Sequence, residues 1–254
     1  MTSPLRLALS ASAVFATALL VTGCASSPGA PTSTSAPEQS QGADASHTED
    51  DMEATWLDDG RMFAIVTWGS SSCIPTTESV TADGQTVTVE LNAGDKNQAC
   101  TSDIAPRASL GALPEGVDPT KDVELVVTLG DVTDDVDLDG NAALTMGAAD
   151  MKPSAGWFED DSLVLLTWGS STCLPIVDSV EAGDGGGTVT FATEERVCTM
   201  DMAPRATVIS FAELDDDADD NDADDNTDDD VDDDAFTLTL VGDNLDATVP
   251  VLQG

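Results

Sequence analysis

Two segments of this chain hold side chains of the kind that do chemistry, and each segment occurs twice. Thr67-Trp68-Gly69-Ser70-Ser71-Ser72-Cys73-Ile74-Pro75 returns 100 positions later as Thr167-Trp168-Gly169-Ser170-Ser171-Thr172-Cys173-Leu174-Pro175. Cys100-Thr101-Ser102-Asp103-Ile104-Ala105-Pro106-Arg107 returns as Cys198-Thr199-Met200-Asp201-Met202-Ala203-Pro204-Arg205. Serines beside a glycine turn suggest a nucleophile. A serine nucleophile needs a base to take its proton, normally a histidine backed by a carboxylate. The only histidine is His47, in a polar stretch far from either segment. Gly-Ser-Ser also lacks the spacing of a strand-turn-helix nucleophile elbow. The reading that follows is structural. Trp68 and Trp168 fill the core beside a disulfide, Gly69 and Gly169 make a turn, and the serines bond to backbone within it.

Arg107 and Arg205 each lie four residues after an aspartate, Asp103 or Asp201. Their expected role is an internal ion pair or a cap on backbone carbonyls. The alternative is a bidentate grip on a carboxylate or phosphate ligand, which guanidinium geometry suits. The field of a chain with net charge −41 opposes an anionic ligand. The four cysteines Cys73, Cys100, Cys173 and Cys198 admit three connectivities. The duplication favours pairing within each copy, Cys73 with Cys100 and Cys173 with Cys198, because a one-domain ancestor needed its own bridge. Such a bridge closes a loop of about 26 residues and contributes roughly 3 kcal/mol. Zinc and redox readings fail for want of Cys-x-x-Cys spacing and of a histidine in the folded part.

The fifth cysteine indicates location. A short basic start ending at Arg6 leads into an apolar run, Leu7 to Val21, and then Thr22-Gly23-Cys24. This is the layout of a secretory signal, too short for the roughly 20 residues of a membrane span. Its ending resembles the bacterial lipobox. The resemblance implies a signal peptide over 1–23 and lipidation of Cys24, leaving a lipid-anchored protein on the extracytoplasmic face of the cell membrane. Residues 24–54 are Ser, Pro, Thr, Gly, Ala and acids. They have too little apolar bulk to offset ordering entropy and read as a disordered tether.

The elements that must position these residues read as short strands. Met62 to Trp68 is a β-branched apolar run, and Glu78–Thr81 and Thr86–Leu91 flank Asp83-Gly84, a strong hairpin signal. Further strands are expected at Arg107–Leu110 and Asp122–Leu129. The second copy repeats the order near Leu163–Trp168, Ser179–Glu181, Thr188–Ala192, Ala206–Phe211 and Phe236–Val241. The predicted fold is all-β, two tandem sandwich- or barrel-like domains arising by internal duplication, each with one disulfide. Copy 1 spans 55–148 and copy 2 spans 149–254.

The copies differ most where copy 2 replaces Pro114–Lys121 with Asp215–Asp234, a segment in which 14 of 20 residues are aspartate. Asp215, Asp217, Asp219, Asp220, Asp222, Asp224, Asp225, Asp228 and Asp230 could gather calcium, a hard cation that takes oxygen ligands. The segment has neither the glycine nor the terminal glutamate of an EF-hand loop, so only weak, multivalent calcium binding is expected of it. No other cofactor is implied. With 49 acids against 8 bases, nucleic acid is excluded as a partner and the field favours cations and basic proteins.

The duplicated Trp-Gly-Ser-Ser-x-Cys and Cys-Thr-x-Asp-x-Ala-Pro-Arg segments resemble those of uncharacterised actinobacterial surface lipoproteins, from about Trp56 to the C-terminus. That resemblance implies location and fold, and no chemistry. Three functions remain. The leading one is a non-enzymatic, membrane-tethered envelope module that binds a protein or glycan. The second is a cation-binding surface protein acting through the aspartate segment. The third is a carboxylate-dependent hydrolase using Asp103 with Asp201, or acids near Trp157.

Overall fold

An uninterrupted apolar run needs cover on both sides, because successive strand residues point to opposite faces of the sheet. Phe63-Ala64-Ile65-Val66 and Leu163-Val164-Leu165-Leu166 are such runs, and in the computed structural model all of these side chains are fully buried. The structure describes residues 48, 51–95, 97–183, 185–211 and 236–253, all within one compact unit, Gly42–Gly254. Cys24 and the aspartate segment lie outside the described residues.

Copy 1 contributes β1 (Met52–Leu57), β2 (Met62–Gly69), β3 (Thr76–Asp83), β4 (Thr86–Asn92), β5 (Ala105–Ala112), β6 (Val123–Leu129) and β7 (Val132–Leu138). Copy 2 repeats them as β8 (Ser154–Glu159), β9 (Ser162–Gly169), β10 (Val177–Gly183), β11 (Gly186–Phe191), β12 (Ala203–Ser210), β13 (Thr237–Val241) and β14 (Ala247–Leu252). A 3-10 turn at Asp58–Gly60 is the only helical element among the described residues. The all-β expectation holds.

Copy 1 forms two sheets, β1-β2-β5 and β3-β4-β6-β7. In copy 2 the same order runs as a single sheet, β10-β11-β13-β14-β8-β9-β12. The seam closes there because β14 pairs in parallel with β8, at Val251 with Ala155 and Leu252 with Gly156. The sheets curl into a half-barrel. The Asp83-Gly84 hairpin is present, with Gly84 at φ 68°. β4 and β6 pair in parallel, so the chain crosses to the other sheet as β5 before returning.

Alternation sorts the side chains into separate cores. Phe63, Ile65 and Trp56 face inward with Val87, Val89 and Leu125. Leu163 and Leu165 face inward with Val189, Ile209, Phe211 and Leu238. The opposite faces of β2 and β9 build a third core between the copies, from Leu57, Ala64, Val66 and Trp68 with Phe158, Val164 and Leu166. Trp168, Ala108, Leu110, Ala206 and Val208 pack around it. Matched positions from the two copies belong to this core, Leu57 and Phe158, Ala64 and Val164, Val66 and Leu166, Trp68 and Trp168, and equivalent strands face one another, β1 with β8 and β5 with β12. The contact is therefore of the isologous, two-fold kind found in homodimers, made within one chain.

This arrangement corrects two expectations. Trp68 and Trp168 do not fill the core of each copy. Trp68 is 5% exposed and meets Phe158 edge-on at 6.3 Å across the joint. The tryptophans of the domain cores are Trp56 and Trp157. The expected tether over 24–54 overlaps the fold as well, since Met52 and Ala54 are buried in β1, so copy 1 includes Met52 rather than starting at residue 55.

The copies approach closely at Gly156. A Cβ there would lie 2.3 Å from Thr55 Oγ1 and 2.4 Å from the Trp56 carbonyl oxygen. In a roomy strand Gly→Ala is neutral or stabilising. Here Gly156→Ala is expected to destabilise by about 1–3 kcal/mol through overpacking. Trp68→Ala is expected to cost about 3–5 kcal/mol. Urea unfolding checks both, and a Gly156→Ala protein as stable as the wild type would show that the joint is loose.

Candidate functional site

The duplicated segments fold into the same device in each copy. Gly69 ends β2 and Gly169 ends β9. A Cβ on either would lie about 2.7 Å from the guanidinium carbon of Arg107 or Arg205, so each glycine is the bare floor on which a guanidinium rests. Arg107 donates from Nη1 to the Cys73 carbonyl at 2.9 Å and from Nη2 to the Trp68 carbonyl at 3.0 Å. Arg205 does the same to Cys173 at 2.8 Å and Trp168 at 3.2 Å. Burial lowers the pKa of Arg205 from its ordinary value. These arginines cap the carbonyls of the turn that carries the disulfide, the carbonyl-cap role expected from sequence. Both predicted disulfides form, Cys73–Cys100 and Cys173–Cys198.

Asp103 and Asp201 serve the other side of the turn. The Ser71 backbone N–H donates to both Asp103 oxygens at 3.3 and 3.4 Å, and the Ser171 N–H donates to Asp201 at 3.2 and 3.4 Å. The Thr199 hydroxyl donates to Asp201 at short range. Hydrogen bonds from Ser71 and then Thr101 hold Asp103 down at about 2, and those from Ser171 and then Thr199 do the same for Asp201. A carboxylate held so low is a poor acceptor for a serine proton. Around it the hydroxyls bond one another: Ser70 with Thr101 at 2.8 Å and Ser72 with Thr101 at 3.2 Å, mirrored by Ser170 and Thr172 with Thr199. The serines thus bond to hydroxyls across the turn and also to backbone, as expected: Ser72 Oγ accepts from the Thr101 N–H at 3.0 Å and Ser170 Oγ from the Thr172 N–H at 3.3 Å.

The copies part company at the corners of their first hairpins. In copy 1, Asp58, Asp59 and Gly60 all take left-handed backbone, at φ 51°, 56° and 80°. For the two aspartates this is an unfavourable conformation that surrounding structure must hold in place. Arg61 does so from within, bonding Asp58 through Nε at 2.9 Å and Nη2 at 2.5 Å. The linker between copies does so from outside. Thr145 donates to Asp59 from its N–H at 2.9 Å and its hydroxyl at 2.6 Å, and the Gly147 N–H donates at 3.0 Å. These bonds, led by the Thr145 hydroxyl, lower the Asp59 pKa. Leu144 of the same strap is buried in the copy 1 core, and across the joint Ser154 Oγ accepts from the Asp58 N–H at 2.8 Å.

At the matching corner of copy 2 lies a cleft of about 620 Å³ between the copies. Glu53, Asp137 and Asp139 come from copy 1, and Glu159 and Asp160 from copy 2. Trp157, Phe158 and Phe236 supply aromatic surface. The rings are braced, Trp157 on Phe236 at 4.9 Å and on Phe211 at 5.9 Å, with Phe211 and Phe236 5.5 Å apart. Phe211 and Phe236 are also the described residues on either side of the aspartate segment. No Lys or Arg lines the cleft among the described residues. Nor, among the described residues, do three or more acidic, His or Cys side chains converge as metal ligands would. The candidate metal residues from Asp215 to Asp230 lie outside the described residues. Sequence reasoning placed acids near Trp157 but missed the cleft, because Asp137 and Asp139 reach it only through the folding of copy 1 against copy 2.

No family model, curated protein or solved structure matches the chain.

The tie between Asp103, Asp201 and their turns gives a pH dependence of known sign. Both pKa values are depressed from the ordinary 3.8 to about 2. The contribution is therefore whole above the unfolded value and is lost as pH falls from about 4 through 2. Asp103→Asn/Asp201→Asn is expected to be less stable than the wild type at pH 7, with the gap closing towards pH 2. A gap unchanged over that range, measured by urea unfolding, would remove the role assigned to these carboxylates.

Proposed function

We propose that this chain is a non-enzymatic binding protein of the cell envelope, tethered to the membrane through Cys24, whose ligand sits in the cleft between its two β copies. The observation that carries the reading is that cleft. Concave sites favour domain junctions and combine apolar surface with a few polar groups. This one combines three aromatic rings with five carboxylates. The duplicated residues support the same reading by elimination: Trp68, Trp168, Gly69, Gly169, Arg107 and Arg205 are occupied in the joint and the turns. Asp103 and Asp201 each bond to the turn of their own copy and so are unsuited to share one substrate as a hydrolytic pair.

Site-specific photo-crosslinking of the full-length protein in cells tests this. A crosslinker in place of Gln253, at the cleft, is expected to give discrete adducts, and one in place of exposed Glu78 on β3 is not. Equal yields from both positions, or none from Gln253, would sink the proposal. Chromogenic glycosides and esters are expected to show no turnover, and a turnover abolished by Asp160→Asn would restore the hydrolase reading.

A further inference from the structure

We infer that the ligand of this cleft is an extended, basic peptide segment of a partner protein. The inference rests on the binding role just proposed and adds the chemistry of the ligand. Its basis is the internal symmetry of the molecule, which shows one of two related corners already filled. In copy 1 the corner after β1 grips a peptide: Asp59 accepts two backbone N–H groups and a threonine hydroxyl from Thr145–Gly147, while Leu144 enters the apolar core. In copy 2 the corner after β8 carries Asp160 and opens into the cleft. The corner that holds an intramolecular strap in copy 1 has its sequence equivalent in copy 2 at a corner that presents carboxylates and aromatic rings.

Charge then selects the peptide. The cleft is lined by acids from both copies and by no cation among the described residues. The acids do not converge on a point, as a bare metal ion would require, and they line the cleft together with Trp157 and Phe236. Lysine or arginine side chains suit such a surface, pairing with carboxylates and lying over aromatic faces. Charge also argues against the chain's own segments as occupants. Residues 212–235 are dominated by aspartate, and residues 25–47 hold Glu38 and Asp44 with no Lys or Arg. The field of a chain with net charge −41 would speed the encounter with a basic partner.

The test uses the full-length protein in detergent and a fluorescein-labelled peptide, Lys-Leu-Thr-Met-Gly-Lys, which sets the strap sequence between cations. Binding is followed by anisotropy at physiological salt, with the Glu-flanked peptide and free spermine as comparisons. The Lys peptide is expected to bind, and the Glu peptide to bind at least about tenfold more weakly. Asp137→Asn/Asp139→Asn/Asp160→Asn is expected to weaken the Lys peptide at least about tenfold, whereas the charge-matched Asp83→Asn/Asp95→Asn/Asp246→Asn is expected to leave it within about twofold. Unchanged melting temperatures would show that both variants fold. Three results would overturn the inference: no binding of the Lys peptide, equal losses in the two triple variants, or spermine competing as well as the unlabelled peptide. Adducts at Gln253 alongside a failed peptide assay would reject the ligand class and keep the binding role, and failure of both would reject both.

Discussion

Everything in this molecule depends on the burial of β2 and β9 on both faces. A strand that is apolar at every position cannot be half-solvated without exposing a stripe of Leu, Val and Trp to water, at about 25 cal/mol for each Å². One face of each strand packs into the core of its own copy. The other face has nothing in its own copy to cover it, and the matching face of the second copy is the cover. The two copies are therefore halves of one body, and the linker between them serves as a structural strap as well as a connection.

That constraint explains where the repeated residues went. Trp68 and Trp168 are repeated by the duplication, and both belong to the joint between the copies. The turn after each of these strands must then reverse the chain beside a packed interface. A guanidinium on a bare glycine and a disulfide secure it from within, and an aspartate secures it from outside. What two-fold symmetry cannot do is fill both ends alike, since a single chain has one linker. The strap occupies one corner, and the cleft with its acids and rings lies at the other.

Much of the fold was legible in sequence. The hairpin at Asp83-Gly84, the disulfide pairing and most strands followed from alternation, turn residues and duplication. Four strands were missed for identifiable reasons. In β7, Asp134, Asp135 and Asp137 make the segment look like an acidic loop, although Val136 and Leu138 alternate into the core. Pro250 in β14 and Gly156 in β8 are strand-disfavouring residues, yet Pro250 is exposed where it pairs with Thr237, and Gly156 is needed for the close approach of Thr55. β1 follows directly on polar tether-like sequence, which hid it. Parity along β2 puts Trp68 on the face of Ala64 and Val66 and not on that of Phe63 and Ile65. Nothing in the sequence says which face is the outer one, so the joint was illegible, and with it the cleft.

The copies stand or fall together because they share a core. Native-state hydrogen exchange tests this most directly, by following amides of β2 and β9 in the full-length protein as urea is raised. Shared burial predicts that the two strands exchange through a single opening event with the same free energy and the same urea dependence. Exchange of one copy's central strand while the other stays protected would contradict it and return the molecule to two independent domains on a string.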